Sequence, residues 1–177
     1  IGQPLPGVSI RLADENNQIV NQGTQGEIHI KGDNVFKEYW NKPQETTNNF
    51  TEDGWFRSGD IAIFQDGAYK ILGRNSVDII KSGGYKISAL EIEEVLRSHP
   101  QIKDCAVVGI PDLEWGEIIA AGIVLSAKSI ELNALKAWVK AKLPGYKTPR
   151  KYIELEQLPR NVMGKVTKKE LVTLFNS

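Results

Sequence analysis

Gly73-Arg74-Asn75-Ser76-Val77-Asp78-Ile79-Ile80-Lys81-Ser82-Gly83-Gly84-Tyr85-Lys86-Ile87-Ser88 decides how the chain divides. Before this stretch, apolar residues recur at every second position, the period of a half-buried strand. After it they recur at helical spacing. The change of period places a boundary near Asn75, with no Gly/Ser-rich linker to mark it. The expected fold class is α+β, with a β-rich part over 1–74 and a small α+β part over 75–177. Within the stretch, Arg74 supplies a fixed cation, Gly83-Gly84 a glycine pair, and Lys81 and Lys86 two further cations.

Towards the N-terminus, Val8-Ser9-Ile10-Arg11-Leu12 alternates apolar and polar side chains, and Gly26-Glu27-Ile28-His29-Ile30-Lys31 does the same. That alternation puts Ile28 and Ile30 on one face. His29 falls on the other with Glu27 and Lys31, where an ordinary surface histidine is expected. Ile61–Phe64, the Gln65-Asp66-Gly67 turn and Tyr69–Leu72 predict a hairpin. Asn41–Thr47 predicts a loop leading into a short helix, and the repeated short strands predict a small β-barrel or β-layer.

Towards the C-terminus, Ser88-Ala89-Leu90-Glu91 is a capping box. It opens a helix to about Ser98, with Leu90, Ile92, Val95 and Leu96 as apolar positions and Pro100 as the stop. Ile102–Ile110 and Glu117–Leu125 read as strands. Ile130–Leu143 reads as a helix with Leu132, Leu135, Trp138 and Val139 in the core. Tyr152–Leu155 reads as a strand and Lys168–Phe175 as a final helix.

Hydrophobic residues make up 41% of the chain and charged residues 25%, a composition that folds. Lys plus Arg and Asp plus Glu each number 22, so the formal net charge is zero. No global basic field points to nucleic acid, and the densest basic cluster is Lys147 to Lys151. The single cysteine, Cys105, excludes an internal disulfide. It lies in an apolar run and reads as a small buried side chain rather than a reactive thiol. One cysteine and two distant histidines leave a zinc site almost no ligands, and no metal ligand is assigned. No apolar run approaches the length of a membrane span. The chain opens at Ile1 without an initiator Met or signal peptide, which reads like the middle of a longer protein.

Four places could carry chemistry. Asp60 ends Gly54-Trp55-Phe56-Arg57-Ser58-Gly59-Asp60. A carboxylate beside a flexible glycine can accept hydrogen bonds from both hydroxyls of a ribose, although Gly-Asp also starts turns. Arg74 offers a planar fork of donors suited to ribose or phosphate oxygens, and equally to a surface salt bridge. In Lys81-Ser82-Gly83-Gly84-Tyr85-Lys86 the glycines fit a hairpin turn. They fit equally a close backbone approach to a ligand, which a side chain at Gly84 would block. Lys165 sits in the polar loop Leu158–Lys165. Near a phosphate it would supply positive charge where negative charge grows during acyl or phosphoryl transfer; otherwise it is a solvated lysine. Gly-x-x-x-x-Gly-Lys-Ser/Thr and Gly-x-Gly-x-x-Gly are absent, which excludes a P-loop ATPase and a Rossmann domain on motif grounds.

Taken in order, Gly2-Gln3-Pro4-Leu5-Pro6-Gly7, the Gly54–Asp60 run, the Gly73–Ser88 stretch and Met163-Gly164-Lys165 resemble the C-terminal part of the adenylate-forming (AMP-binding) superfamily. That superfamily contains acyl-CoA synthetases, adenylation domains of peptide synthetases and firefly luciferases. The resemblance covers the whole chain. It implies the end of a β-rich subdomain over 1–74 followed by a mobile lid domain over 75–177. It implies Asp60 on the ribose hydroxyls of ATP, Arg74 helping to hold the nucleotide, and Lys165 on the acid and the α-phosphate during adenylation. It also implies rotation of the lid about a hinge just after Arg74, which withdraws Lys165 and brings Gly84 to the pantetheine passage, with Lys81 or Lys86 nearby.

Many members carry Arg-x-Asp-Asp or Arg-x-Lys at the hinge, where this chain has Arg74-Asn75-Ser76-Val77-Asp78. The pivot then falls on Ser76 or Val77 and leaves Asp78 as a strand residue. With Val35-Phe36-Lys37-Glu38-Tyr39-Trp40, Pro111-Asp112-Leu113-Glu114-Trp115-Gly116 and Pro159–Lys165, this variant is similar to mitochondrial-type malonyl-CoA synthetases. The implied reaction joins a small carboxylic acid, malonate or methylmalonate, to coenzyme A using ATP, in the bacterial cytoplasm or the mitochondrial matrix. The family's phosphate-handling loop and the glutamate of its magnesium-linked motif lie before residue 1. Mg2+ is therefore expected to be held upstream, and the 177 residues to be inactive alone. Two other readings remain: an adenylation domain loading a carrier protein, and a non-catalytic nucleotide-binding module.

Overall fold

The computed structural model describes residues 2–126 and 130–176. The chain forms two compact units, Ile1–Ser76 and Val77–Ser177, and its fold class is α+β, as the two periods indicate.

In the first unit β1 (Val8–Ala13), β2 (Gln25–Gly32), β3 (Phe56–Gln65) and β4 (Ala68–Arg74) form one antiparallel sheet in sequence order. This is a β-layer, with β1 and β4 at its edges. Leu12, Ile28 and Ala62 make its buried core, joined by Ile10, Ile30, Phe64 and Tyr69. The short helix α1 (Pro43–Asn49) starts on a proline, whose missing N–H would have no helical partner there.

Two bulges reshape β3. Glu27 pairs with Ile61 but His29 pairs with Arg57, so Ser58-Gly59-Asp60 face Ile28 alone. Gly59 turns there with φ +77, and its N–H donates to Glu27 Oε1 at 2.9 Å instead of to the ladder. On the other side Ile61 pairs with Gly73 and Ala62 with Ile71, leaving Leu72 as the extra residue, with Gly73 at φ +125.

The first bulge overturns the expectation for His29, which is buried rather than solvent-facing. Strict alternation ends at the bulge, so neighbouring Ile28 and His29 are both covered. Arg11, the cross-strand partner of His29, donates from Nε to Nδ1 at 3.4 Å while its guanidinium lies 4.6 Å from the Trp55 ring centre. Burial lowers the His29 pKa, which keeps the ring neutral at pH 7 with Nδ1 as acceptor.

The second unit holds β5 (Ile79–Ser82), β6 (Tyr85–Ser88), β7 (Ile102–Asp112), β8 (Gly116–Leu125) and β9 (Lys151–Glu154). The sheet order is β6-β5-β8-β7, and β9 pairs with β8 in parallel. Among the described residues three α-helices accompany it: α2 (Ala89–Arg97), α3 (Leu132–Lys140) and α4 (Lys168–Asn176). β8 is apolar almost throughout because both of its faces are covered. Ile119, Ala121 and Ile123 pack with Ile92 and Leu96 of α2 and Leu135 and Val139 of α3. Ile118, Ala120 and Val124 pack with Leu171 of α4 and with Leu158. At Gly122 a Cβ would meet Leu171 Cδ1 at 2.8 Å, so α4 rests on bare backbone. Each fully buried Leu or Ile stabilises this arrangement by about 1.5–3 kcal/mol.

Ser88 caps α2 by accepting from Glu91 N at 3.2 Å, while the Glu91 carboxylate pairs with Lys147 at 2.7 Å. Cys105 is buried, and burial pushes its thiol up to about 12, consistent with an inert core residue. The third helix is shorter than Ile130–Leu143. Glu131 caps it through the amides of Asn133 and Ala134, and Pro144 follows its end. Leu132 consequently sits in the first turn and is exposed, leaving the packing to Leu135, Val139 and part of Trp138.

Candidate functional site

Asp60 and Arg74 are placed by the bulges just described. Without the extra residue Leu72, Asp60 would face Gly73; with it, Asp60 and Arg74 are direct cross-strand partners and share one face of the sheet. Arg74 Nε lies 2.8 Å from Asp60 Oδ1, and the guanidinium also donates to Ser58 O at 3.1 Å. The Asp60 N–H donates to Ser58 Oγ at 3.1 Å, and Asn75 N donates to Gly59 O at 2.9 Å. A Cβ at Gly59 would come within 3.3 Å of the Arg74 guanidinium, so the glycine also makes room for it. The result is a carboxylate and a guanidinium side by side at a partly exposed sheet edge. Such a pair offers acceptors and donors together, which a vicinal diol can engage.

The glycine pair forms a two-residue hairpin turn between β5 and β6, with Ser82 opposite Tyr85 and Lys81 opposite Lys86. Both glycines take positive φ, +55 and +82, as a turn matching the strand twist requires. They differ in surroundings. A Cβ at Gly83 would strike the Trp115 ring at 2.8 Å, whereas one at Gly84 would meet nothing within 4 Å. Gly83 N donates to Trp115 O at 2.9 Å, which ties the turn to the start of β8. Gly84 therefore presents open backbone to solvent, with Lys81 and Lys86 exposed on the strands beside it.

Around this hairpin stand groups that sequence reasoning did not single out as site residues. Arg150 stacks over Trp115 at 4.0 Å from the ring centre, and Tyr85 stacks on Tyr146 at 4.6 Å. Next to them an open cavity of about 380 Å³ is lined by Lys136, Lys140 and Arg150 with Gly145, Thr148 and Pro149. These residues come from separate segments. No local period announces them; in the sequence only Tyr85 beside the glycine pair, Trp115-Gly116 and the basic cluster Lys147 to Lys151 mark the place.

Lys165 stands on a tightly built turn in the second unit. Asn161 Oδ1 accepts from Met163 N and Lys165 N, both at 3.0 Å. Asn161 N donates to Lys165 O and Gly164 N to Asn161 O, both at 2.9 Å, with Gly164 at φ +78. Arg160 adds donors to Gly164 O and to Asp104 Oδ2, each at 2.6 Å. Lys165 is exposed at the end of this turn. The backbone beneath the lysine is thus bonded on both sides, while the ammonium faces solvent.

The structure brings Asp60 and Arg74 together in the first unit and gathers Lys81, Gly84 and Lys86 on one hairpin of the second. Lys165 lies on a separate loop of that second unit, and the division between units falls between Ser76 and Val77. Among the described residues there is no group of three or more His, Cys, Asp or Glu side chains able to hold a metal ion. No helix among the described residues is long and apolar enough to cross a membrane.

Comparison with known proteins identifies the family. Residues 91–165 match the family described as AMP-binding enzyme C-terminal domain, and residues 1–40 match the AMP-binding enzyme family. The chain is 47% identical over 192 residues to the mitochondrial malonate–CoA ligase ACSF3 of Mus musculus, covering 97% of this chain and 33% of that protein. It is 45% identical over 183 residues to the malonate–CoA ligase of Arabidopsis thaliana, covering 97% of this chain and 30% of that protein. Among solved structures, ATP-bound MatB from Rhodopseudomonas palustris superposes with a TM-score of 0.87 at 36% identity, covering all of this chain and 36% of that one. The chain thus spans about a third of the length of these relatives. Two family matches in consecutive order, and relatives aligned along nearly its whole length, make this chain a member of the AMP-binding, adenylate-forming enzymes and place it in their C-terminal portion.

Proposed function

We propose that the enzyme containing this chain activates a small dicarboxylic acid with ATP and transfers the acyl group to coenzyme A, with malonate as the acid and methylmalonate as its close analogue. One observation carries the reading of the nucleotide site: two bulges set Asp60 and Arg74 side by side at 2.8 Å on a partly exposed edge. The choice of malonate rests on the relatives named above, which are malonate–CoA ligases.

In the first half-reaction a carboxylate oxygen of the acid attacks the α-phosphorus of ATP. The bond to the bridging oxygen breaks, and pyrophosphate leaves with the bonding electrons. Asp60 accepts from the ribose hydroxyls, Arg74 donates to nucleotide oxygens, and the Lys165 ammonium offsets the negative charge gathering around the α-phosphate. In the second half-reaction the thiol of coenzyme A attacks the acyl carbon, AMP departs, and the thiol proton passes to solvent. Ser76 and Val77 act as the pivot between the two states. The open backbone at Gly84 admits the pantetheine arm, with Lys81 and Lys86 beside it. The cavity lined by Lys136, Lys140 and Arg150 offers positive charge suited to the phosphates of coenzyme A. Mg2+ accompanies ATP in this reading, and no described residue of this chain is assigned to hold it.

The test uses the longest natural chain that contains these residues and measures each half-reaction separately. Lys165→Ala should lower ATP–pyrophosphate exchange roughly 10²–10³-fold, the usual loss when one transition-state charge partner is removed. Thioester formation from supplied malonyl-adenylate should stay within about twofold. Gly84→Leu should do the reverse. Equal losses in both halves would sink the assigned roles, and activity on straight-chain acids with none on malonate or methylmalonate would sink the substrate.

A further inference from the structure

The unit that carries Lys165 also contains a buried ion cluster with no part in the site described. Lys168 Nζ lies 2.7 Å from Asp78 Oδ1 and 2.9 Å from Glu93 Oε1. All three side chains are largely withdrawn from solvent. Glu93 Oε1 also accepts from Val107 N at 2.9 Å, and Arg97 approaches the other Glu93 oxygen at 3.6 Å.

Local propensity does not explain the arrangement. Lys168 occupies the first position of α4, where the positive end of the helix dipole disfavours a cation. Buried ion pairs are moreover often replaceable by apolar groups without loss of stability. What the cluster does supply is a defined connection between distant points of the sequence. Lys168 lies three residues beyond Lys165. Asp78 is the second residue of the second unit, and its carbonyl accepts from Ala89 N at 2.8 Å. The residue that leaves the division between units is thereby bonded to α2 through its backbone and to the base of the lysine loop through its side chain.

We infer that Asp78 is a positioning residue for Lys165: acting through Lys168, it fixes the lysine loop to the first segment after the pivot, so that a turn at Ser76 or Val77 carries the Lys165 ammonium as part of a rigid body. This deepens the proposed function and rests on its assignment of Lys165. Breaking the link should leave the loop folded but looser. A displacement of about 1 Å at a catalytic group can cost roughly 100-fold in rate.

Asp78→Asn removes the link mildly, since Glu93 still neutralises Lys168. In the full enzyme it should lower kcat for ATP–pyrophosphate exchange roughly ten- to a hundredfold. KM for ATP should hold steady, because Asp60 and Arg74 are untouched, and so should thioester formation from supplied malonyl-adenylate. If Asp78→Asn fails to fold, the uncharged triple variant Asp78→Asn/Glu93→Gln/Lys168→Met should show the same selective loss. Lys168→Arg, which keeps the cation, should restore more exchange activity than Lys168→Met.

Full exchange activity in either folded variant, or equal loss in both half-reactions, overturns the inference. Lys165→Ala run in parallel separates the two layers. If that variant keeps its exchange activity, the reading of Lys165 fails; if it loses activity while the Asp78 variants do not, only the link fails.

Discussion

Asp60 and Arg74 meet at 2.8 Å with side chains 28% and 61% exposed, whereas Lys168 meets Asp78 at 2.7 Å with side chains 11% and 14% exposed. The separations are nearly equal, so distance does not distinguish the two pairs. Solvent does. Water screens the exposed pair and can replace either partner, so the contact contributes little to stability and stays open to exchange with an incoming ligand. The buried pair has surrendered its hydration, and removing Lys168 strands the carboxylates of both Asp78 and Glu93. One pair is suited to recognition, the other to holding a shape.

Lys168→Met tests the contrast most severely. It leaves Asp78 and Glu93 buried without their shared cation and should cost about 3–5 kcal/mol in urea denaturation. Arg74→Met should cost no more than about 1 kcal/mol in the same experiment. Similar losses at the two sites would break the comparison.

The next effect belongs to binding rather than folding. Asp60→Asn should raise KM for ATP roughly tenfold or more, in keeping with hydrogen bonds to a charged group, and leave the unfolding midpoint nearly unchanged. A large stability loss without a change in KM would move Asp60 into the structural class.

The smallest effect sharpens the same rule at a group buried without charge. His29 has its pKa lowered chiefly by desolvation, so the folded state resists protonation that the unfolded chain accepts from its ordinary value of 6.5 downwards. Its contribution to stability is complete above that value and declines as the pH falls below it. Thermal midpoints at about pH 7.5 and about pH 5.5 should therefore differ less in His29→Gln than in the unsubstituted protein. Identical slopes would show that burial of this ring is not what shifts it.

Much of the scaffold was legible because it follows local rules. The Gln65-Asp66-Gly67 turn, the Ser88 cap and the apolar run of β8 each declare themselves within a few residues. What was hidden depends on partners distant in sequence. Alternation around Ile28 could not reveal that three residues of β3 would crowd opposite it, and so missed the burial of His29. Asp60 and Arg74 were each recognisable as candidates. Their pairing depends on the extra residue Leu72 and the positive φ of Gly73, and alternation carries no trace of either. Lys168 looked like an unremarkable start to a helix because both of its carboxylate partners lie more than seventy residues upstream. Trp115, Tyr146 and Arg150 are likewise assembled by tertiary packing.

Asn75 is bonded through its amide to Gly59, and Asp78 through its carbonyl to Ala89. Between these fixed points lie only Ser76 and Val77, with two soft torsions each. In the proposed cycle the connector is then less a string than a universal joint. Its contour is roughly 3.3–3.6 Å per residue, too short for either unit to wander. Switching between half-reactions becomes a search over a handful of angles instead of a diffusive encounter, and the local concentration of one unit near the other stays high throughout. Lengthening that joint by a few glycines would add conformations to be searched without removing a single contact.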